Sequence, residues 1–68
     1  MNQMTASRAA MIRGYLKHAG TSQSDIAKQA GVTRGLVCHV IAGRRRNRDV
    51  RRAVAEAIHL EPHNLWGD

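Results

Sequence analysis

The chain has 68 residues and a formal net charge of +6, because eleven Lys and Arg stand against five Asp and Glu. This length predicts a single small domain, residues 1–68, with a thin core. One Trp, one Tyr and no Phe leave Ala, Val, Ile, Leu and Met to build that core, which favours short close-packed helices over a β-sandwich. The excess of positive charge indicates a polyanionic partner.

The first predicted helix follows a tail of residues 1–4, begins at Thr5 or Ser7 and ends near His18. Gly14 lies in its middle, where glycine costs about 1 kcal/mol relative to alanine. Two explanations for Gly14 stay open: close packing against another segment, or simple tolerance. The residues expected to face the core are Ala9, Ile12, Leu16 and Ala19, with Tyr15 at their edge.

The second predicted helix begins at Thr21 or Ser22 and ends at Ala30. Ser22 and Asp25 resemble a capping box, with Asp in place of Glu. Gly31 then supplies a sharp turn, for which we expect a positive φ.

The third predicted helix begins at Thr33, a good N-cap, and ends near Ala42. Gly43 closes it, as glycines close the two helices before it. Small and apolar residues along the second and third helices have the spacing of facing sides: Ile26, Ala27, Ala30, Val32, Val37 and Val40. Two short helices that cross at a glycine in this way have the layout of a helix-turn-helix, here residues 22–43, whose second helix enters the DNA major groove.

The fourth predicted helix begins near Asn47 or Asp49 and carries the clearest amphipathic stripe of the chain. Pro62 either stops this helix or begins a short final turn, which leaves Leu65 and Trp66 to fold back onto the core. An exposed partner contact is the alternative role of Trp66. The core-facing residues of the stripe are Val50, Val54, Ala57 and Ile58.

The outward-facing residues of the third helix are the predicted base contacts. Arg34 is the strongest candidate, because a guanidinium pairs bidentately with guanine, worth about 1–3 kcal/mol of discrimination; a phosphate contact is its alternative. Three roles stay open for His39: contact with a base, contact with a phosphate, or exposure on the surface without a DNA contact. Gly35 either lets the backbone approach the duplex or only weakens the helix, and Cys38 is small enough to touch a thymine methyl. The full predicted set is Thr33, Arg34, Gly35, Cys38 and His39.

Six of the eleven basic residues fall in the nine positions from 44 to 52, opposed there only by Asp49. Arg48, Arg51 and Arg52 lie where the dipole of the fourth helix is already positive, so each is unfavourable unless an anion comes close. The alternative is that these arginines are only solvated at the surface and bind no partner. The predicted phosphate contacts are Ser22, Gln23, Arg44, Arg45, Arg46, Asn47, Arg48 and Arg51. If about four to six arginines contact phosphates, log K falls with log salt at a slope of about −4 to −5.

Residues 23–43 resemble the helix-turn-helix of the lambda-repressor-like family, also called the Xre or Cro/C1 type. The family pattern is a Gln, an aliphatic–Ala pair, a Gly–Val turn, a small polar cap, two further aliphatics and a closing Gly. The matching residues are Gln23, Ile26, Ala27, Gly31, Val32, Thr33, Val37, Val40 and Gly43. The resemblance implies an all-α, compact bundle of four or five helices and sequence-specific binding of double-stranded DNA.

Residues 51–66, RRAVAEAIHLEPHNLW, are similar to the end of phage Ner-like regulators, which have an amphipathic helix, an acidic–Pro turn and an aliphatic–Trp pair. The chain departs from the lambda-repressor-like pattern at Ile41 and Ala42, where many members carry Asn or Glu. The arginines after Gly43 are therefore expected to take the electrostatic role. The two resemblances imply a cytoplasmic, nucleoid-associated regulator of bacterial or prophage origin.

The sequence predicts no enzyme, no cofactor, no metal and no small-molecule ligand, because it carries no nucleophile–base pattern and no phosphate-cradling glycine loop. Pro62 separates His59 from His63, which otherwise have the spacing of metal ligands on a helix. Cys38 is the only cysteine, which excludes an internal disulfide and fits a reducing compartment. The sequence also predicts neither a transmembrane helix nor a signal peptide.

These observations predict a transcriptional regulator that binds double-stranded DNA, with repression by occupying a promoter as the simplest mechanism. One alternative is a DNA-architectural or recombination accessory factor, which the position of its footprint distinguishes. Another is an antitoxin-like protein-interaction module, which would bind duplexes weakly and with little salt dependence. An RNA-binding role is disfavoured because aromatic residues for stacking are lacking. A homodimer on a palindrome and monomers bound side by side both stay open.

Overall fold

The structure describes residues 4–67, with side chains from residue 8 onward. These residues form five α-helices joined by short turns and loops, and they include no strand. The structure is a computed structural model. The helices, in chain order, are α1 (Met4–His18), α2 (Gln23–Ala30), α3 (Arg34–Ile41), α4 (Arg48–Ala57) and α5 (Pro62–Trp66). The predicted all-α class is therefore confirmed, with five helices as the count.

All five helices contribute to one apolar core. Ile12 of α1, Ile26 of α2, Val37 of α3, Val54 of α4 and Leu65 of α5 are among its buried side chains. α2 packs against α3 and α4, α5 packs against α4, and α1 contacts α3. No polar or charged side chain is buried among residues 8–67, so the fold rests on apolar packing and leaves its charges at the surface.

The helix ends follow local capping rules that the sequence predicts. The Ser22 hydroxyl accepts the Asp25 backbone N–H at 3.1 Å, and the Asp25 carboxylate accepts the Ser22 backbone N–H at 3.1 Å, which completes the capping box. Thr33 caps α3 by accepting from Leu36 N, and Asn47 caps α4 by accepting from Val50 N. Gly31 ends α2 with a φ of 71°, the left-handed conformation expected there.

The start of α1 corrects the prediction for the N-terminus. The sequence places Met4 in the tail and predicts a start at Thr5 or Ser7, but α1 already includes all three residues. The physical reason is that no Gly or Pro interrupts the chain before Gly14, and the alanines of this segment favour helix. Residues 1–3 of the predicted tail lie outside the described residues.

Several predicted core positions also need correction. Ala19 is exposed because α1 ends at His18, one residue before it. Methionine was among the residue types expected in the core, but Met11 is 42% exposed. A Cβ built on Gly14 would meet nothing within 4 Å, so close packing does not explain this glycine.

The C-terminal segment follows the second of the two predictions made for it. Pro62 begins α5, and Leu65 and Trp66 are buried, which confirms the core role of the indole. Ala57 and Ile58 are only partly buried, because α4 ends between them. His59 then adopts a φ of 60°, so a β-carbon-bearing residue occupies a conformation that favours glycine.

Candidate nucleic-acid interface

α3 presents one apolar side to the core and one side to solvent. Val37, Val40 and Ile41 are buried, and Leu36 is half-buried between the two sides. The five residues predicted to contact bases are all exposed: Thr33, Arg34, Gly35, Cys38 and His39. We call these five residues the α3 face. Arg34, Gly35, Cys38 and His39 lie on the solvent side of α3, and Thr33 is the N-cap residue directly before it.

Thr33 and Gly35 differ in whether the fold itself explains the residue at that position. The Thr33 side chain accepts the Leu36 backbone N–H at 3.1 Å, so its oxygen is committed to capping. Gly35 lies in open space, because a Cβ there would meet only Thr33 Oγ1 at 3.9 Å. Packing inside the protein therefore gives no reason for a glycine at position 35.

The start of α2 lies in a cleft of about 530 Å³ that also includes Arg34. Ser22 and Gln23, two predicted phosphate contacts, line this cleft together with Arg13 and Lys17 of α1. We call Arg13, Lys17 and Arg34 the α2 cluster. The fold thus brings three cations around a helix start whose backbone N–H groups favour anions.

Asp25 is the acidic side chain among the residues that line this cleft. The hydrogen bond from the Ser22 backbone N–H, helped by the Ser22 side chain, holds the pKa of this carboxyl below its ordinary value of 3.8. Asp25 is therefore ionised at neutral pH and engaged in the cap. Its charge offsets part of the positive potential of the cleft and leaves an excess of cations.

Sequence reasoning missed Arg13 and Lys17. Both are exposed and lie four residues apart, so they share one side of α1. That spacing was a usable signal for a shared face. Their position beside α2 depends on how α1 packs, which no local pattern contains.

The arginine-rich segment follows α3 directly. Gly43 has a φ of 85°, and the backbone N–H groups of Arg44 and Arg45 donate to the His39 carbonyl, so the segment is tied to the end of α3. The residues between α3 and α4 carry Arg44, Arg45 and Arg46, all exposed. We call the whole set the α4 cluster: Arg44, Arg45, Arg46, Arg48, Arg51 and Arg52.

A second cleft, of about 420 Å³, lies at the start of α4. Its lining consists of Arg46, Asn47, Arg48, Arg51, Arg52 and Pro62. Arg52, which was not among the predicted contacts, also lines a neighbouring cleft that contains Asp49 and Glu56. The predicted phosphate contacts Arg46, Asn47, Arg48 and Arg51 are thus brought together, whereas Arg44 and Arg45 do not line this cleft.

Arg51 and Trp66 make a contact that the sequence did not reveal. The Arg51 guanidinium carbon lies 5.1 Å from the centroid of the Trp66 ring, within the range of a cation–π interaction. Trp66 is 7% exposed and belongs to the core, whereas Arg51 is half-buried. One arginine of the α4 cluster is therefore fixed against the protein interior.

The histidines predicted not to form a metal site lie on separate elements. His59 follows the end of α4 in a left-handed conformation, and His63 belongs to α5. Within residues 4–67, no group of three or more His, Cys, Asp or Glu side chains is arranged to hold a metal ion.

None of the helices described is long and apolar enough to cross a membrane.

Comparisons with known proteins give no relative: no family model, curated protein or solved structure matches this chain. The α3 face and the two basic clusters beside it are therefore the features from which a function is inferred.

Proposed function

We propose that the chain is a sequence-specific double-stranded DNA-binding protein that regulates transcription, most simply as a repressor that occupies a promoter. In this proposal α2, Gly31 and α3 form a helix-turn-helix of the lambda-repressor-like kind. The α3 face enters the major groove, with Arg34 at a base edge. The other two cations of the α2 cluster, Arg13 and Lys17, and the α4 cluster lie on the flanking phosphates.

One observation carries the proposal: the exposed face of α3 has a basic cluster at each end. Arg34 shares a cleft with the start of α2, and the arginine-rich segment begins just beyond the last turn of α3. A duplex offers base edges in its groove and phosphates on both rims, so an exposed helix face with cationic clusters at both of its ends matches its charge distribution.

The shape of the α3 face supports the same proposal. Thr33, Gly35 and Cys38 are small, so the backbone of α3 is able to approach base edges closely. Arg34 and His39 are the longer side chains of this face, and both carry hydrogen-bonding groups suited to bases. An antitoxin-like docking helix would gain more from apolar anchors than from this set.

The experiment is selection of bound duplexes from a random pool, followed by binding of the selected duplex over a salt series. We expect a defined consensus sequence and a log–log salt slope of about −4 to −5. Absence of a consensus together with a flat salt dependence would overturn the proposal.

A further inference from the structure

Four arginines line the cleft at the start of α4: Arg46, Arg48, Arg51 and Arg52. Guanidinium groups present planar pairs of N–H donors whose spacing matches two oxygens of a phosphate. Asn47 lines the same cleft, and the positive end of the α4 dipole adds to its potential. The chemistry of this lining therefore suits a phosphate group better than an uncharged or apolar ligand.

Arg51 is held by the core through Trp66. Its guanidinium carbon lies 5.1 Å from the Trp66 ring centroid, and the indole is fixed by burial. A free arginine side chain loses rotamer freedom when it binds a ligand, and this loss weakens binding. Contact with the indole restricts Arg51 before any ligand arrives, so less freedom is lost on binding.

We propose that this cleft is a phosphate-binding site and that Trp66 is the positioning residue for Arg51 within it. The ligand is a phosphate of the DNA backbone, and this assignment of the source rests on the proposed function. Trp66 acts through Arg51 and does not itself contact DNA. The same cleft chemistry would accept free inorganic phosphate or pyrophosphate, so the experiment separates the two sources.

Trp66 is the only tryptophan of the chain, so its fluorescence reports on the cleft directly. The selected duplex and inorganic pyrophosphate are titrated separately into wild type, Arg51→Gln and the matched control Arg8→Gln. Arg8 is exposed on α1 and lines neither basic cleft. Arg8→Gln removes the same charge, so it measures the effect of net charge alone.

We expect duplex binding to change the Trp66 emission of wild type and of Arg8→Gln, and to leave that of Arg51→Gln unchanged. Arg51→Gln weakens duplex binding roughly tenfold for every sequence and lowers the salt slope by about 1. Arg51→Lys keeps the charge but lacks the planar fork, so its binding falls between those of wild type and Arg51→Gln.

A double-mutant cycle tests the positioning role of Trp66. Trp66→Met removes the ring, Trp66→Phe keeps a weaker aromatic face, and a cooperative thermal melt shows that each variant is folded. With labelled duplex, we expect Trp66→Met to weaken binding severalfold, Trp66→Phe to restore most of it, and neither to weaken Arg51→Gln further. Should Trp66→Met fail to fold, the cycle with Trp66→Phe gives the same test.

The proposal is overturned if Arg51→Gln and Arg8→Gln have the same duplex affinity and the same change in Trp66 emission. It is also overturned if the Trp66 variants weaken duplex binding equally with and without Arg51. The proposed function survives either result. If the selection yields no bound duplex while pyrophosphate changes Trp66 emission in an Arg51-dependent way, the phosphate site stands and the proposed function fails. If neither ligand changes the emission, the phosphate site is wrong.

Discussion

The two basic clusters beside α3 are built in different ways. The α2 cluster draws Arg13 and Lys17 from α1 and Arg34 from α3, and it surrounds the capped start of α2. The α4 cluster places six arginines within nine consecutive residues. Tertiary packing makes the first cluster and local sequence makes the second. On the proposed function, the first sets the register of α3 on the duplex and the second supplies most of the attraction.

The largest effect is expected from the contiguous arginines of the α4 cluster. Replacing Arg44, Arg45 and Arg46 together with Gln should weaken binding by about two orders of magnitude and lower the salt slope by about 3, because three phosphate contacts are lost. Affinity over a salt series, measured on the selected duplex and on a scrambled one, checks both numbers. A loss confined to the selected duplex would contradict the assignment of these arginines to phosphates.

The α2 cluster should separate base contact from phosphate contact. Arg34→Ala should cost about 1–3 kcal/mol of discrimination at one base pair, since a bidentate contact is lost there. Arg13→Ala should weaken all duplexes alike and lower the salt slope by about 1. Repeating the duplex selection with each variant makes the comparison, and an unchanged consensus for Arg34→Ala would reduce Arg34 to a phosphate contact.

A matched pair of glycines tests whether backbone approach matters at the α3 face. Gly35→Ala and Gly14→Ala should each stabilise the protein by about 1 kcal/mol, because both glycines are helical and an added Cβ has room at each. Only Gly35→Ala should weaken DNA binding, since its methyl group would meet the duplex. Thermal melts and binding curves give the two readouts; equal DNA affinity of both variants would assign Gly35 no role at the duplex.

The smallest effect concerns the cap that supports the α2 cluster. Ser22→Ala should destabilise the protein by about 1 kcal/mol through loss of the N-cap. The Asp25 pKa is lowered in the folded state, so its stabilising effect is present above pH 3.8 and is lost as the pH falls through the lowered value. Asp25→Asn should therefore be less stable than wild type at neutral pH and converge with it in acid, as thermal melts would show. A stability difference that does not depend on pH would contradict this account.

The sequence predicted those features that are encoded locally. The caps at Ser22, Thr33 and Asn47 and the left-handed turn at Gly31 each depend on a few adjacent residues, and all are present. The arginine-rich segment was equally visible because its charges are contiguous. What these features share is that no knowledge of packing is needed to recognise them.

The features that escaped prediction depend on contacts between distant parts of the chain. Arg13 meets the start of α2 only because of how α1 packs, and Arg51 meets Trp66 only because α5 folds back on α4. His59 was missed for another reason: it lacks the Gly or Asn signal that usually marks a left-handed helix end. Local rules therefore predict helix ends better than they predict which distant residues the charged side chains contact.

The most direct test of the central claim uses the only cysteine of the chain. Cys38 is exposed on the α3 face, so a thiol-alkylating reagent reports whether that face is covered. We predict that saturating selected duplex slows alkylation of Cys38 to the rate at which the complex dissociates, whereas scrambled duplex at the same concentration protects it less. Full reactivity of Cys38 in a saturated complex would show that the α3 face does not lie against DNA.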